Sequence, residues 1–140
     1  MSAGKVLAGL SVTHFPLQDQ TYDLIVPVPL HFDRLRWRGF NQSLIVARTI
    51  GQARHIETDP FVLTRTRATV PQTQLSESER RENVRGAFMV VTPQRLTGKT
   101  VLLVDDVYTS GATAEECAKT LRRGGAEAVD VFTVARAVSH

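Results

Sequence analysis

The 140-residue chain holds a single cysteine, and that scarcity removes two architectures. No internal disulfide can form, and no zinc site built from several cysteines can assemble. Long apolar runs are missing too. No stretch reaches the length a bilayer-spanning helix needs, and no signal-peptide pattern is present, so a cytoplasmic location is the expectation. Internal repeats and low-complexity tracts are absent. Neither sign of charge dominates: 17 lysines and arginines face 14 acids, for a net charge of +3. A pI near 9.5 suits a phosphate-rich ligand or weak DNA contact, without by itself defining a DNA-binding protein. The length fits one domain, residues 1–140, around one core.

What is present is organised around residues 101–113. Val101, Leu102, Leu103 and Val104 form a short unbroken apolar run, as a strand buried on both faces should. Asp105 and Asp106 follow, where that strand should leave the sheet. Thr109 to Thr113 is a small hydroxylated loop containing Gly111. Ala114, Cys117, Ala118 and Leu121 then fall on one face of a helix, which makes Cys117 a small core residue. Thr113 and Glu116 are spaced as a capping box, Arg122 and Arg123 suit the helix end, and Gly124-Gly125 suits the stop. Strand, acid pair, loop and helix N-terminus together aim free N–H groups into the loop, which makes an anion site. Two carboxylates beside it repel a bare phosphate, but they suit sugar hydroxyls or a cation. The ligand implied is a sugar phosphate.

Rival readings of the acid pair are a P-loop ATPase, a receiver domain and plain solvated strand-end acids. A P-loop needs Gly-x-x-x-x-Gly-Lys-Ser/Thr after an earlier strand. Gly98-Lys99-Thr100 offers only its end, with Pro93 in place of the first glycine, and it precedes a strand; it is read as a turn. A receiver domain needs more strand–helix units after the acids than this chain has.

The thirteen residues 101–113 closely resemble the phosphoribosyl-pyrophosphate signature of type I phosphoribosyltransferases. The resemblance implies that Asp105 and Asp106, as catalytic residues, hold the ribose 2- and 3-hydroxyls. It implies that Tyr108, Thr109, Ser110, Gly111, Ala112 and Thr113 wrap the 5-phosphate. Mg²⁺ would be the cofactor, riding on the pyrophosphate with no metal site of the protein's own.

In residues 1–20, Val6, Leu7 and Leu10 suggest the end of an amphipathic helix, followed by a loop in which His14 is a surface residue. Residues 22–28 are a strand that Pro27 and Pro29 end. A basic loop with Arg34, Arg36, Arg38 and Gly39 leads to a helix capped by Asn41, with Leu44, Ala47 and Ile50 on its buried side and Ile45 and Val46 as further candidates. A basic loop at a strand's carboxyl end suits pyrophosphate; a solvated face is the alternative. Strands are expected at residues 61–65, 86–91 and 129–135. A loop over residues 68–76 and a capping box at Ser76 and Glu79 should open a short helix through Asn83. Alternating strands and helices predict an α/β fold: a doubly wound, mostly parallel sheet with flanking helices and a small flap or hood. The ligand crevice should open at the strands' carboxyl ends.

Pro27-Val28-Pro29-Leu30-His31 and Arg38-Gly39-Phe40-Asn41-Gln42 narrow the resemblance, as do Gln72-Thr73-Gln74-Leu75-Ser76 and Arg80-Arg81-Glu82-Asn83-Val84-Arg85-Gly86-Ala87-Phe88. Together these residues resemble the ComF family, phosphoribosyltransferase-like proteins linked to DNA uptake in competent bacteria. The likeness runs over residues 22–137. It implies phosphoribosyl pyrophosphate or a nucleoside monophosphate as ligand, a DNA-uptake helicase as partner, and room for a homodimer. It also implies a flap that brings Arg80, Arg81 and Arg85 onto the ligand, solvent exposure being the alternative for each. One departure is plain: many ComF-like proteins carry an N-terminal four-cysteine zinc module, and these residues hold none. Trp37, Phe40 and Tyr108 are candidates for an acceptor site or for packing; His31 lies near the right loop, and no general base stands out. Two readings follow: a phosphoribosyltransferase of unknown acceptor, or a non-catalytic adaptor in DNA uptake that keeps the pocket.

Overall fold

The computed structural model describes residues 6–8, 21–30, 41–67, 75–108 and 111–136. In chain order the elements are β1 (Val6–Ala8), β2 (Leu24–Pro27), α1 (Gln42–Arg54), β3 (Leu63–Arg65), α2 (Glu77–Val84), β4 (Phe88–Val90), β5 (Thr100–Tyr108), α3 (Ala112–Arg123) and β6 (Ala128–Arg136). A 3-10 turn at Pro93–Arg95 precedes β5.

β5 sits inside a parallel sheet of order β1-β6-β5-β2. Its apolar run, Val101 to Val104, is fully buried, and alternate side chains enter different cores. Val101 and Leu103 join Leu24, Val26 and the α3 residues Cys117, Ala118 and Leu121. Leu102 and Val104 join Ile25, Phe132 and the α1 residues Val46, Ala47 and Ile50. Helices therefore cover both faces of the sheet, and this is why β5 shows no polar alternation. Each such side chain contributes about 1.5–3 kcal/mol by leaving water.

Asn41 caps α1 as its sequence position suggests: its Oδ1 accepts from the Ser43 N–H at 3.1 Å. The apolar face of α1 is shifted from the expected one. Val46, Ala47 and Ile50 are buried, Leu44 is half-buried, and Ile45 is 49% exposed. Helix α3 ends as expected at Gly124, and Gly125 takes a φ of 118° that favours glycine.

Three expectations need correction. Val6–Ala8 is not a helix end; it pairs in parallel with Val131–Thr133 of β6. A three-residue strand shows too few positions to separate a period of 2 from one of 3.6. The strands expected at 61–65 and 86–91 exist as the shorter β3 and β4, and they pair antiparallel with each other outside the parallel sheet. Phe61 precedes β3 and is 77% exposed. Val62, Leu63 and Phe88 pack into the α3-side core, so this ribbon covers α3. Finally, Thr113 does not cap α3. The helix begins two residues earlier, from a left-handed Gly111.

Two polar ties brace the amino end of the sheet. Tyr22 donates to Asp130 Oδ2 at 2.8 Å, and burial followed by that bond pushes the phenol pKa up. Arg95 donates to Asp59 Oδ2 at 3.1 Å and also to Glu57, tying the turn before β5 to the segment after α1.

Cys117 is fully buried, as expected of a core thiol. Burial, then the nearby charge of Asp105, raises its pKa well above the usual range. A neutral, enclosed thiol is a poor nucleophile. Native protein should therefore resist iodoacetamide and label fully once unfolded in denaturant. Labelling of the folded chain within minutes, read by mass spectrometry, would contradict this burial.

Candidate functional site

The site is built where β5 outruns its neighbour. The β2 ladder closes at Pro27–Val104, and the Val28 N–H donates to Val104 O at 2.8 Å. The β6 ladder continues through Asp105–Thr133 to Tyr108–Arg136. Asp105 thus lies at the carboxyl edge of β2 while still inside β5. The acid pair belongs to the strand instead of following it. Asp105 is 9% exposed, and its ladder partner Thr133 is fully buried.

Gly111, with a φ of 83°, is the N-cap of α3 and makes the turn into the helix. As the N-cap residue, Gly111 has no side chain with which to cap the first amides. Ala112 and Ala114 are buried, so they fasten the first turn to the core. The positive end of the α3 dipole follows the acid-bearing end of β5 along the chain. Thr113 sits in the first turn and is half-buried.

Glu116, the expected partner of Thr113 in a capping box, serves elsewhere. Its Oε2 accepts from the Gly86 N–H at 3.3 Å, joining the turn between α2 and β4 to α3. Gly86 has a φ of 68°. The same turn is held to the end of β3: Arg67 donates to Arg85 O at 2.9 Å, and the Thr66 N–H donates to Ala87 O at 2.7 Å.

The capping box at the start of α2 is as expected. Ser76 Oγ accepts from the Glu79 N–H at 3.2 Å, and the Ser76 N–H donates to Glu79 Oε1 at 2.8 Å. The backbone bond, then the hydroxyl, holds the Glu79 carboxyl below its ordinary range. This helix carries Arg80 and Arg81, and Arg85 is its C-cap. Arg81 and Arg85 line a cleft with Val84, Ala112, Glu115 and Lys119. They therefore stand beside the first turns of α3. Each makes an exposed ion pair, Arg81 with Glu77 and Arg85 with Glu82, both at 3.1 Å. Such exposed pairs contribute little to stability. Arg80 is half-buried.

Arg38, Gly39, Thr109 and Ser110 lie outside the described residues, as do the side chains of Asp106 and Tyr108. The same holds for His14, His31, Trp37 and Phe40. The frame of the basic loop is nonetheless visible at both ends. Asn41 does more than cap α1: its Nδ2 donates to Val28 O at 3.2 Å. One side chain thereby fixes the end of β2 to the start of α1, on either side of residues 31–40. The cap was readable in sequence, but this second bond was not, because nothing local announces a contact to a strand end thirteen positions away.

Among the described residues no helix is long and apolar enough to cross a membrane, and no cluster of three or more His, Cys, Asp or Glu side chains could hold a metal ion.

This arrangement has known counterparts. The phosphoribosyl transferase domain family matches residues 6–139. DNA utilization protein YhgH of Escherichia coli K12 is 42% identical over 118 residues, covering 84% of this chain and 51% of that protein. Competence protein F of Haemophilus influenzae is 35% identical over 116 residues, covering 82% and 51%. The chain thus spans about half the length of the curated relatives it matches. Among solved structures, glutamine phosphoribosylpyrophosphate amidotransferase from B. subtilis, complexed with ADP and GMP, aligns with a TM-score of 0.58 at 25% identity, over 87% of this chain and 24% of that one. The chain thus belongs to the phosphoribosyl transferase domain family, in its ComF branch of competence and DNA utilization proteins.

Proposed function

We propose that this chain is a competence-related, phosphoribosyltransferase-like protein whose pocket binds phosphoribosyl pyrophosphate, or a nucleoside monophosphate, together with Mg²⁺. One observation carries the reading. β5 delivers a buried Asp105 to the edge where the β2 ladder stops, and the next helix opens with its positive end at a left-handed Gly111 shortly after that strand. Acids beside an amide cradle suit a ligand with hydroxyls at one end and phosphate at the other.

In this reading Asp105 and Asp106 accept from the ribose 2- and 3-hydroxyls. Residues 108–113, which include Thr109, Ser110, Gly111, Ala112 and Thr113, surround the 5-phosphate. Arg38 and Gly39, with Arg80, Arg81 and Arg85, face the pyrophosphate. Mg²⁺ would ride on the pyrophosphate and neutralise its charge. Transfer from such a ligand is a displacement at the anomeric carbon with pyrophosphate leaving. The protein's part is to hold the ribose, orient its anomeric face and exclude water.

The test is pyrophosphate release with Mg²⁺, saturating phosphoribosyl pyrophosphate and a panel of nucleobases. Release with at least one base is the expected result. A second reading is favoured by the relatives' names, which speak of DNA and competence and not of a base. There the pocket is kept in a non-catalytic adaptor of DNA uptake, alongside a helicase. Tight ligand binding without release for any base, together with a DNA complex indifferent to the pocket, would select it. Failure of the ligand to bind at all would end both readings.

A further inference from the structure

On the β3–β4 ribbon the register decides which side chains look inward. Leu63 pairs with Val90 and Arg65 with Phe88, and paired residues share a face. Leu63 and Phe88 are buried in the α3-side core. Arg65 therefore projects from the core face, whereas Thr64 and Met89 take the outer face, where Met89 is 51% exposed. The Arg65 guanidinium carbon stands 4.8 Å from the centre of the Phe88 ring, and the residue is half-buried.

A cation laid against a core face loses hydration and needs an acid to balance it. Among the described residues the buried acid is Asp105. α3 packs against both β4 and β5, so it brings the ribbon and the acid-bearing strand to a common core. The thiol of Cys117 on α3 feels both charges: after burial, Asp105 raises its pKa and Arg65 lowers it.

We propose that Arg65 is a positioning residue, a cation supplied by the ribbon that keeps the buried Asp105 carboxylate ionised and ready for a ribose hydroxyl. The role assigned to Asp105 rests on the phosphoribosyl reading above. The charged groups that share the Cys117 thiol with Asp105 are Arg65 from β3 and Glu116 from α3; on its own strand and ladder Asp105 has Asp106 beside it and the uncharged Thr133 opposite. Two of these are acids that oppose ionisation of Asp105, and Arg65 is the cation that favours it. Removing a nearby cation raises a carboxylate's pKa, so the ionised form is lost at a higher pH.

The experiment measures phosphoribosyl pyrophosphate binding with Mg²⁺ by calorimetry, at about pH 5.5 and about pH 8, on the full chain. The proteins are the wild type, Arg65→Met, Arg65→Lys, Asp105→Asn and the Arg65→Met/Asp105→Asn double variant. Taking each ratio to wild type removes the ligand's own titration. Arg65→Met should show a deficit about tenfold larger at the acid pH than at the alkaline one. Arg65→Lys should recover most of it, and the Asp105→Asn background should remove the pH dependence. An equal deficit at both pH values, or no recovery by lysine, overturns the proposal. Carbon-13 NMR of the aspartate carboxyls gives a ligand-free readout. The Asp105 signal should titrate at higher pH in Arg65→Met, and an unmoved titration overturns the coupling. If wild type fails to bind the ligand while that signal still moves, the phosphoribosyl reading falls and the Arg65–Asp105 coupling stands. Arg65→Gln carries the same measurements should Arg65→Met lose its folded circular-dichroism spectrum.

Discussion

Replacing both Asp105 and Asp106 with asparagine should weaken binding of phosphoribosyl pyrophosphate by about a hundredfold, or about 3 kcal/mol. A carboxylate accepting a hydroxyl makes a charge-assisted bond worth about 1.5–3 kcal/mol, and asparagine keeps the shape without the charge. The same variant should bind inorganic pyrophosphate with Mg²⁺ at least as well as wild type. Two negative charges beside an anion cost binding, and their removal relieves that cost. Opposite responses of the two ligands are the signature of acids that grip a sugar. Isothermal titration of both, on variants whose circular dichroism matches wild type, makes the comparison. A parallel fall in both affinities would mean that the acids serve the metal or the fold, and the site would have to be redrawn.

The second large effect lies far from the ligand. Gly51→Ala should destabilise the chain by about 2–4 kcal/mol and lower its Tm by roughly 10 °C. A Cβ at Gly51 would meet Thr58 Oγ1 at 2.5 Å and Ile56 O at 2.7 Å. The first of these contacts can move only by giving up its bond to Ala47 O, and the second is backbone. Here the chain leaves α1 through a left-handed His55, folds back across Gly51, and forms a parallel bridge between Thr58 and Ile25. The better helix propensity of alanine returns at most about 1 kcal/mol. Gly86 is the natural control. Its φ is also positive, at 68°, but an added Cβ meets nothing within 4 Å. Gly86→Ala should cost only the strain of that φ, about 1 kcal/mol. Urea denaturation of both variants separates clash from strain, and equal losses would show that the close approach at Gly51 does not govern stability.

Sequence made the centre of this fold legible because the centre is locally encoded. Four apolar residues without polar alternation, bounded by Gly98-Lys99, read as a strand covered on both faces, and β5 is one. The Asn41 cap and the Ser76–Glu79 box were also readable, since each is a bond between residues two or three positions apart. Reading failed where a local signal was overruled from a distance. Thr113 and Glu116 have the spacing of a cap, but the glycine turn starts α3 earlier and Glu116 is drawn to Gly86, thirty positions away. The ribbon of β3 and β4 was visible as two strands, yet nothing in either says that they pair with each other and leave the main sheet. Arg65 was overlooked for the same reason. Within its own segment it looks like any solvated arginine, and only the register with Phe88 turns it inward.

β1 deserves a last thought as a matter of timing. It is three residues long, its ladder partner is β6, and the two belong to opposite ends of the described sequence. A ribosome that has released β1 must still make every other element before that partner exists. Among the described strands, the first to be made is thus the one with the longest wait for a place in the sheet. Contacts so remote in sequence close late and slow the search. The acid-bearing β5, paired with β6 across a single short helix, can form its half of the pocket before the edge strand arrives.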